Sequence, residues 1–206
     1  MNLMSLFSKS RPTKMRIVFH GHPALRRKSE PVEALTEDVR AFADRLLVSL
    51  QESEVPGVGL AAPQVGVNLR MIAIDTRPSD NNIPPNLSQG EIMLNPRMPM
   101  VLVNPEILSF SEETETLCEG CLSLPGIDGE VKRPVNVLLK ATLMDGSHIV
   151  VQCGNLLARC LQHEIDHLDG VLFIDRAPRD QQKEAEHTMK LLKKRELKLE
   201  EKENSQ

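Results

Sequence analysis

In "TEDVRAFADRLLVSLQES" the apolar residues Val39, Phe42, Ala43, Leu46, Leu47 and Leu50 recur at spacings of three and four, the period of a helix with one buried face. The pattern predicts an amphipathic helix over about 37–52, with Thr36 before it as the N-cap. Glycines and prolines in "VPGVGLAAPQVGV" break that period, and "RMIAID" then reads as a short buried strand. Residues 77–99 are rich in Pro, Asn and Ser and predict a long surface loop. "VLVNPEILSFSEETETL" and "VNVLLKATLMDGSHIVVQC" follow as strand-rich segments, the second folded on an Asp145-Gly146 turn. Helical spacing then returns: Asn155 is placed to cap a helix running to about Leu168, with Gly170 as its stop. After Pro178 comes a highly charged helical tail, expected to be a solvated face that frays at its end. The order helix, strands, helix points to an α+β fold rather than alternating βαβ units.

Composition narrows the function classes. The 206 residues suffice for one domain with a substantial core. With no Trp, no Tyr and five Phe, that core must be built from Leu, Val, Ile and Met. A formal net charge of −4 argues against a domain whose main partner is a nucleic-acid backbone. Four Cys are too few for a disulfide scaffold and imply a reducing compartment. No stretch approaches the ~18 apolar residues of a membrane span. "MNLMSLFSKSRPTKM" has one short apolar patch followed by basic residues and Pro12. It reads as a flexible extension over 1–15, with an organellar presequence as the alternative. The catalytic domain is then expected over 16–178 and the charged tail over 179–206.

The chemistry is concentrated in three short segments. "QHEIDH" places His163, Glu164 and His167 as H-E-x-x-H inside the second long helix. Positions i and i+4 share a helical face, so both imidazoles can reach one metal ion, and Glu164 can face the same site as a general base. Chance would give this pattern in about one or two shuffles per hundred of a chain with this composition. Two histidines need a third protein ligand for a catalytic divalent ion, and Cys121 is the best candidate because a thiolate suits iron or zinc. Cys121 also stands in C-x-x-C spacing with Cys118 in "LCEGCLSLPG". Were Cys118 a ligand as well, the site would be a closed, structural Cys₂His₂ zinc. The third segment, "GVGLAAPQ", carries two glycines, two alanines and the amide of Gln64. Small residues there allow another backbone close approach, and a packed turn is the plainer reading.

Together "GVGLAAPQ", "EGCLS" and "QHEIDHLDG" resemble the three signature motifs of peptide deformylase, in that family's order and at compatible separations. The resemblance extends from "HPALRRKSEPV" to "LFIDR". It implies an α+β domain with antiparallel sheets packed around a central metal-binding helix. The implied activity is removal of the formyl group from the initiator N-formylmethionine of nascent chains. The implied cofactor is one divalent metal, usually Fe²⁺, with Zn²⁺ or Ni²⁺ found in some preparations. Carried over by residue, Cys121, His163 and His167 match the metal ligands and Glu164 the general acid/base. Gln64 and the backbone N–H of Leu122 match the oxyanion donors. Cys118 would then be a neighbour that does not bind metal.

Leu156, Cys160, His163 and His167 follow at four, three and four, one stripe of the helix. By spacing alone Leu156 and Cys160 are as readily core as pocket; the resemblance makes them the lining of a Met pocket. Val58, Gly59 and Gly120 match positions that bond the substrate backbone as an added strand, and Glu119 and Arg133 match a pair that braces the Cys loop. The chain departs from many family members in carrying Asp128 where they have Arg, which redirects expectations about the peptide beyond formylmethionine. N-formylmethionyl peptides are the expected partners, acted on by a monomer in a bacterial-type cytoplasm, with no membrane and no sequence-specific nucleic acid. "KLLKKRELK" in the tail is a candidate for transient ribosome contact. The rivals are an H-E-x-x-H metallopeptidase, for which only the remote His187 lies downstream as a ligand, a closed zinc protein, and a redox dithiol that lacks any βαβ context.

Overall fold

The computed structural model describes residues 11–78 and 84–203. Helix α1, Glu37–Gln51, begins where expected: the Thr36 hydroxyl accepts the Val39 N–H at 3.3 Å. Among the described residues seven strands follow, β1 (Gly59–Ala61), β2 (Met71–Ile74), β3 (Met100–Phe110), β4 (Thr114–Gly120), β5 (Asp128–Pro134), β6 (Val137–Leu143) and β7 (His148–Cys153). Five of them form one sheet in the order β1-β2-β3-β6-β7, and β4 with β5 forms a separate hairpin. Each pairing between these strands is antiparallel, so the α+β class stands. Two long helices complete the fold, α3 (Asn155–Leu168) and α4 (Arg179–Glu203).

The unbroken apolar run of β2 has a simple cause: both faces of the sheet are covered. Ile72 and Ile74 pack with Leu157, Leu161, Ile165 and Leu168 of α3. The alternate residues Met71 and Ala73 pack with Ala43, Leu46 and Leu50 of α1, as the two-residue period of a strand requires. A third cluster, around Phe173, Leu124, Val131 and Leu192, joins the β4–β5 hairpin to α4. Helix α3 is therefore central, with the sheet on one side and the hairpin on the other.

The structure corrects four expectations. The surface loop at 77–99 contains helix α2, Gln89–Leu94, in which the Ser88 hydroxyl accepts the Glu91 N–H at 3.3 Å and Glu91 Oε2 accepts the Ser88 N–H at 2.8 Å. This is a capping box, and the S-x-x-E signal for it was present in the sequence. Asn155 does not cap α3: Gly154 holds that position, while Asn155 sits at φ 51 and its Nδ2 donates to Asn86 O and Glu91 Oε2. Strand β5 was not expected, because its inward positions are Gly129, Val131 and Arg133 rather than a run of apolar residues. The tail is not simply a solvated helix, since α4 buries Ala185, Leu192 and Glu196. Of the expected N-terminal extension, residues 1–10 lie outside the described residues, and at its other end the Met15 N–H donates to Ser49 Oγ at 2.8 Å.

Candidate active site

Helix α3 presents His163, Glu164 and His167 toward the turn that follows β4, where Cys121 stands. The Cys121 Sγ and one nitrogen from each imidazole all lie within 4.8 Å of one another. Cys121 Sγ is 3.2 Å from His167 Nε2, and the two imidazoles meet edge to face with centroids 5.0 Å apart. One thiolate and two imidazoles suit iron, zinc or nickel, and three protein ligands leave a coordination position open. Burial, reinforced by the charge of His163, pushes the His167 imidazole well below its ordinary value, so it is in the neutral, ligating form. Burial acts to lower His163 too, but hydrogen bonds with Cys121 and Glu119 outweigh it and raise the group to about 10. The negative charge that holds this proton is charge that a divalent cation answers as well. The residues present therefore fit a metal.

A buried network orients the ligands. His163 Nδ1 lies 2.9 Å from Glu119 Oε2; an ionised carboxylate only accepts, so Nδ1 carries the hydrogen and Nε2 is left for the metal. Arg133 grips Glu119 with two bonds of 2.6 and 2.9 Å and reaches Asp166 at 2.8 Å. Burial alone would raise the Glu119 carboxyl, but Arg133 and His163 hold it well below the usual carboxylate range. Arg159 adds a further bond to Glu119 at 2.8 Å and ties down Val131 O and Glu115 O on the hairpin. Sequence reasoning paired Glu119 with Arg133 but missed Arg159, Asp166 and Arg176, whose Nε donates to Asp166 Oδ2 at 2.6 Å. Arg159 occupies α3 one turn before His163, a position the helical period marks as facing the hairpin.

Glu164 is 4% exposed, yet its Oε2 has no hydrogen-bond partner among the described residues. Burial pushes its carboxyl up to about 7, against the lowering field of His163, the range suited to proton transfer near neutral pH. The glycine at 59 makes room for it: a Cβ there would stand 2.7 Å from Glu164 Cδ and 2.8 Å from Cys160 Sγ. Gln64, 1% exposed, is oriented by Ala61, whose N–H donates to Oε1 at 2.8 Å. Its Nε2 must then point the other way, and it stands 3.4 Å from both Cys121 Sγ and Ser123 Oγ. Leu122, whose N–H is the other expected oxyanion donor, is in the same turn as Cys121.

A cleft of about 420 Å³ opens over this set, with Val58, Gly59, Gly120, Leu122, Leu156 and Cys160 in its walls. Leu156 is 47% exposed at its mouth, whereas Cys160 is buried and donates to Val58 O at 3.5 Å. Gly120 pairs with Asp128 at the end of the hairpin. Cys118 lies outside the group of ligand atoms. It is exposed, its Sγ donates to Asp128 Oδ2 at 3.4 Å, and that carboxylate pushes its thiol up, away from the thiolate a metal needs.

The family described as Polypeptide deformylase matches residues 14–183. A relative named Peptide deformylase 2, from Gloeobacter violaceus, is 39% identical over 170 residues, 82% of this chain and 82% of that protein. The crystal structure of peptide deformylase from Ehrlichia chaffeensis superposes with a TM-score of 0.74 at 29% identity, covering 89% of this chain and 97% of the other. A class I type b peptide deformylase from Acinetobacter baumannii, solved with Met-Ala-Ser bound, matches at a TM-score of 0.68 and 32% identity over 80% of this chain and 99% of that one.

Proposed function

The chain belongs to the peptide deformylase family, and from that premise we propose that Cys121, His163 and His167 hold its metal while Glu164 moves the proton in the reaction. The protein is a metal-dependent hydrolase that removes the N-formyl group from nascent polypeptides and releases formate. The observation that carries the residue assignment is the buried, unpartnered Oε2 of Glu164 beside three converging ligand atoms.

A divalent cation at this set, when bound, lowers the pKa of water toward neutrality and polarises a carbonyl. On the family resemblance we assign Fe²⁺ as that cation, with Zn²⁺ or Ni²⁺ as substitutes that a mixed thiolate and imidazole set also accepts. Glu164 takes the proton from the attacking water and passes it to the amine that leaves with the peptide. Gln64 Nε2, held in its orientation by Ala61, donates to the oxygen that becomes negative, and the Leu122 N–H donates to it from the opposite loop. The substrate backbone adds alongside Val58, Gly59 and Gly120, and the Met side chain enters between Leu156 and Cys160. The Met-Ala-Ser peptide bound in the Acinetobacter baumannii structure supports a peptide beginning with Met as the ligand class.

Among the described residues no helix is long and apolar enough to cross a membrane. We place the enzyme in a bacterial-type cytoplasm as a monomer, with the basic residues of "KLLKKRELK" available for transient ribosome contact. Formate measured after adding formyl-Met-Ala-Ser to Fe²⁺- or Ni²⁺-loaded protein without oxygen tests the reading. Formate from the formyl peptide and no acetate from its acetyl counterpart are expected; cleavage of an internal peptide bond instead would favour the metallopeptidase.

A further inference from the structure

Residues 16–20 cross behind both loops that supply the oxyanion donors. The Val18 N–H donates to Gln64 O at 2.9 Å and the His20 N–H to Ser123 O at 3.0 Å. One short segment therefore bridges the Gln64 loop and the Cys121–Ser123 turn by its backbone, beside the direct contact of Gln64 Nε2 with Ser123 Oγ. Between those two bonds, the Phe19 N–H donates to Glu196 Oε2 of α4 at 2.9 Å.

Glu196 is 0% exposed in a helix whose charged residues are otherwise mostly at the surface. A carboxylate buried so fully is costly unless it is paired and hydrogen-bonded. Here Arg16 Nη1 donates to both of its oxygens, each at 2.9 Å, and Arg16 continues to Glu203. The Arg195 guanidinium lies 4.5 Å from the Phe19 ring centroid, and at Gly21 (φ +112) a Cβ would stand 3.0 Å from Lys193 Cα. His22, Glu196 and Glu200 also gather their ligand atoms within 4.8 Å. Both Glu196 oxygens are already taken by Arg16, so the carboxylate serves as an anchor and not as a cation ligand.

We propose that Glu196 is a positioning residue for the deformylation reaction: with Arg16 it holds the Phe19 backbone, and through residues 16–20 it fixes the distance between Gln64 and the Leu122 N–H. Oxyanion donors act only when held at hydrogen-bond distance from the developing charge, so small displacements of either loop are expressed in kcat. The ligand pair His163 and His167 stays fixed by α3, and the Cys121 turn keeps its own bond from the Leu124 N–H to Cys121 O at 2.9 Å.

The inference rests on the deformylase reading, and one series of holoenzymes tests it. Glu196→Ala is expected to lower kcat for formyl-Met-Ala-Ser by about tenfold, with KM and bound metal unchanged. Glu196→Gln keeps an acceptor for the Phe19 N–H and should return kcat to within about threefold of the wild type. Glu186→Gly weakens the same helix at an exposed position ten residues before Glu196, so it should lower thermal stability and leave kcat unchanged. If Glu196→Ala does not fold, Arg16→Ala carries the same comparison with Glu186→Gly. Wild-type kcat in Glu196→Ala, a kcat as low in Glu196→Gln, or an equal fall in Glu186→Gly would overturn the inference. No formate from the wild type would overturn both this and the reading beneath it.

Discussion

Gly59 and Glu164 are packed so closely that a single added carbon would collide: a Cβ on Gly59 would stand 2.7 Å from the Glu164 carboxyl carbon. Strand β1 therefore forms a wall that defines where the carboxylate lies relative to the metal ligands. Gly59→Ala should push Glu164 away from its station while leaving Cys121, His163 and His167 in place. A displacement near 1 Å costs on the order of a hundredfold in rate. Steady-state kinetics with metal analysis on the same samples should show kcat falling by about that factor with full metal content.

Gln64→Ala removes one proposed oxyanion donor and no metal ligand. A loss of about 10²–10³ in kcat is expected, with KM little altered, checked by the same formate assay.

Glu119 acts through Arg133 and His163, so its replacement should be felt in metal affinity and in stability. Glu119→Gln should weaken metal binding by about 10–100-fold and destabilise the fold by on the order of 3 kcal/mol, since it leaves buried arginines short of their partner. The pH dependence follows from the sign of its shift. The folded carboxyl lies below the unfolded value of about 4.3, so its contribution is complete above that pH and is lost as pH falls through the folded value. Denaturant titrations should therefore separate wild type and variant most widely above pH 5 and bring them together in acid.

Cys118 and Cys121 should part company on substitution. Cys118→Ser is expected to keep one metal per chain, and Cys121→Ser to lose it, as read by elemental analysis after gel filtration. Equal loss from both would instead indicate a closed Cys₂His₂ centre.

The legible parts of the sequence were those where one physical period dominates. The three-four spacing of α1 and the i, i+4 histidines of α3 are local, so both could be read without knowing what surrounds them. Residues 128–134 could not, because their inward positions Gly129 and Arg133 are explained only by partners elsewhere: Arg133 is buried against Glu119 and Asp166. The tail misled for a related reason. Glu196 looks like one more surface charge until Arg16, 180 residues away in the chain, is seen to neutralise it. Asn155 was read as a cap from residue type alone, whereas its side chain is committed to Glu91 and Asn86.

The most direct test of the account is formate release by the Glu164→Ala variant with its metal content measured alongside. The expected result is a fully metal-loaded protein whose turnover of formyl-Met-Ala-Ser has fallen by at least about a hundredfold. Wild-type turnover in a loaded Glu164→Ala variant would contradict the assignment of the proton carrier and, with it, the catalytic reading of the site.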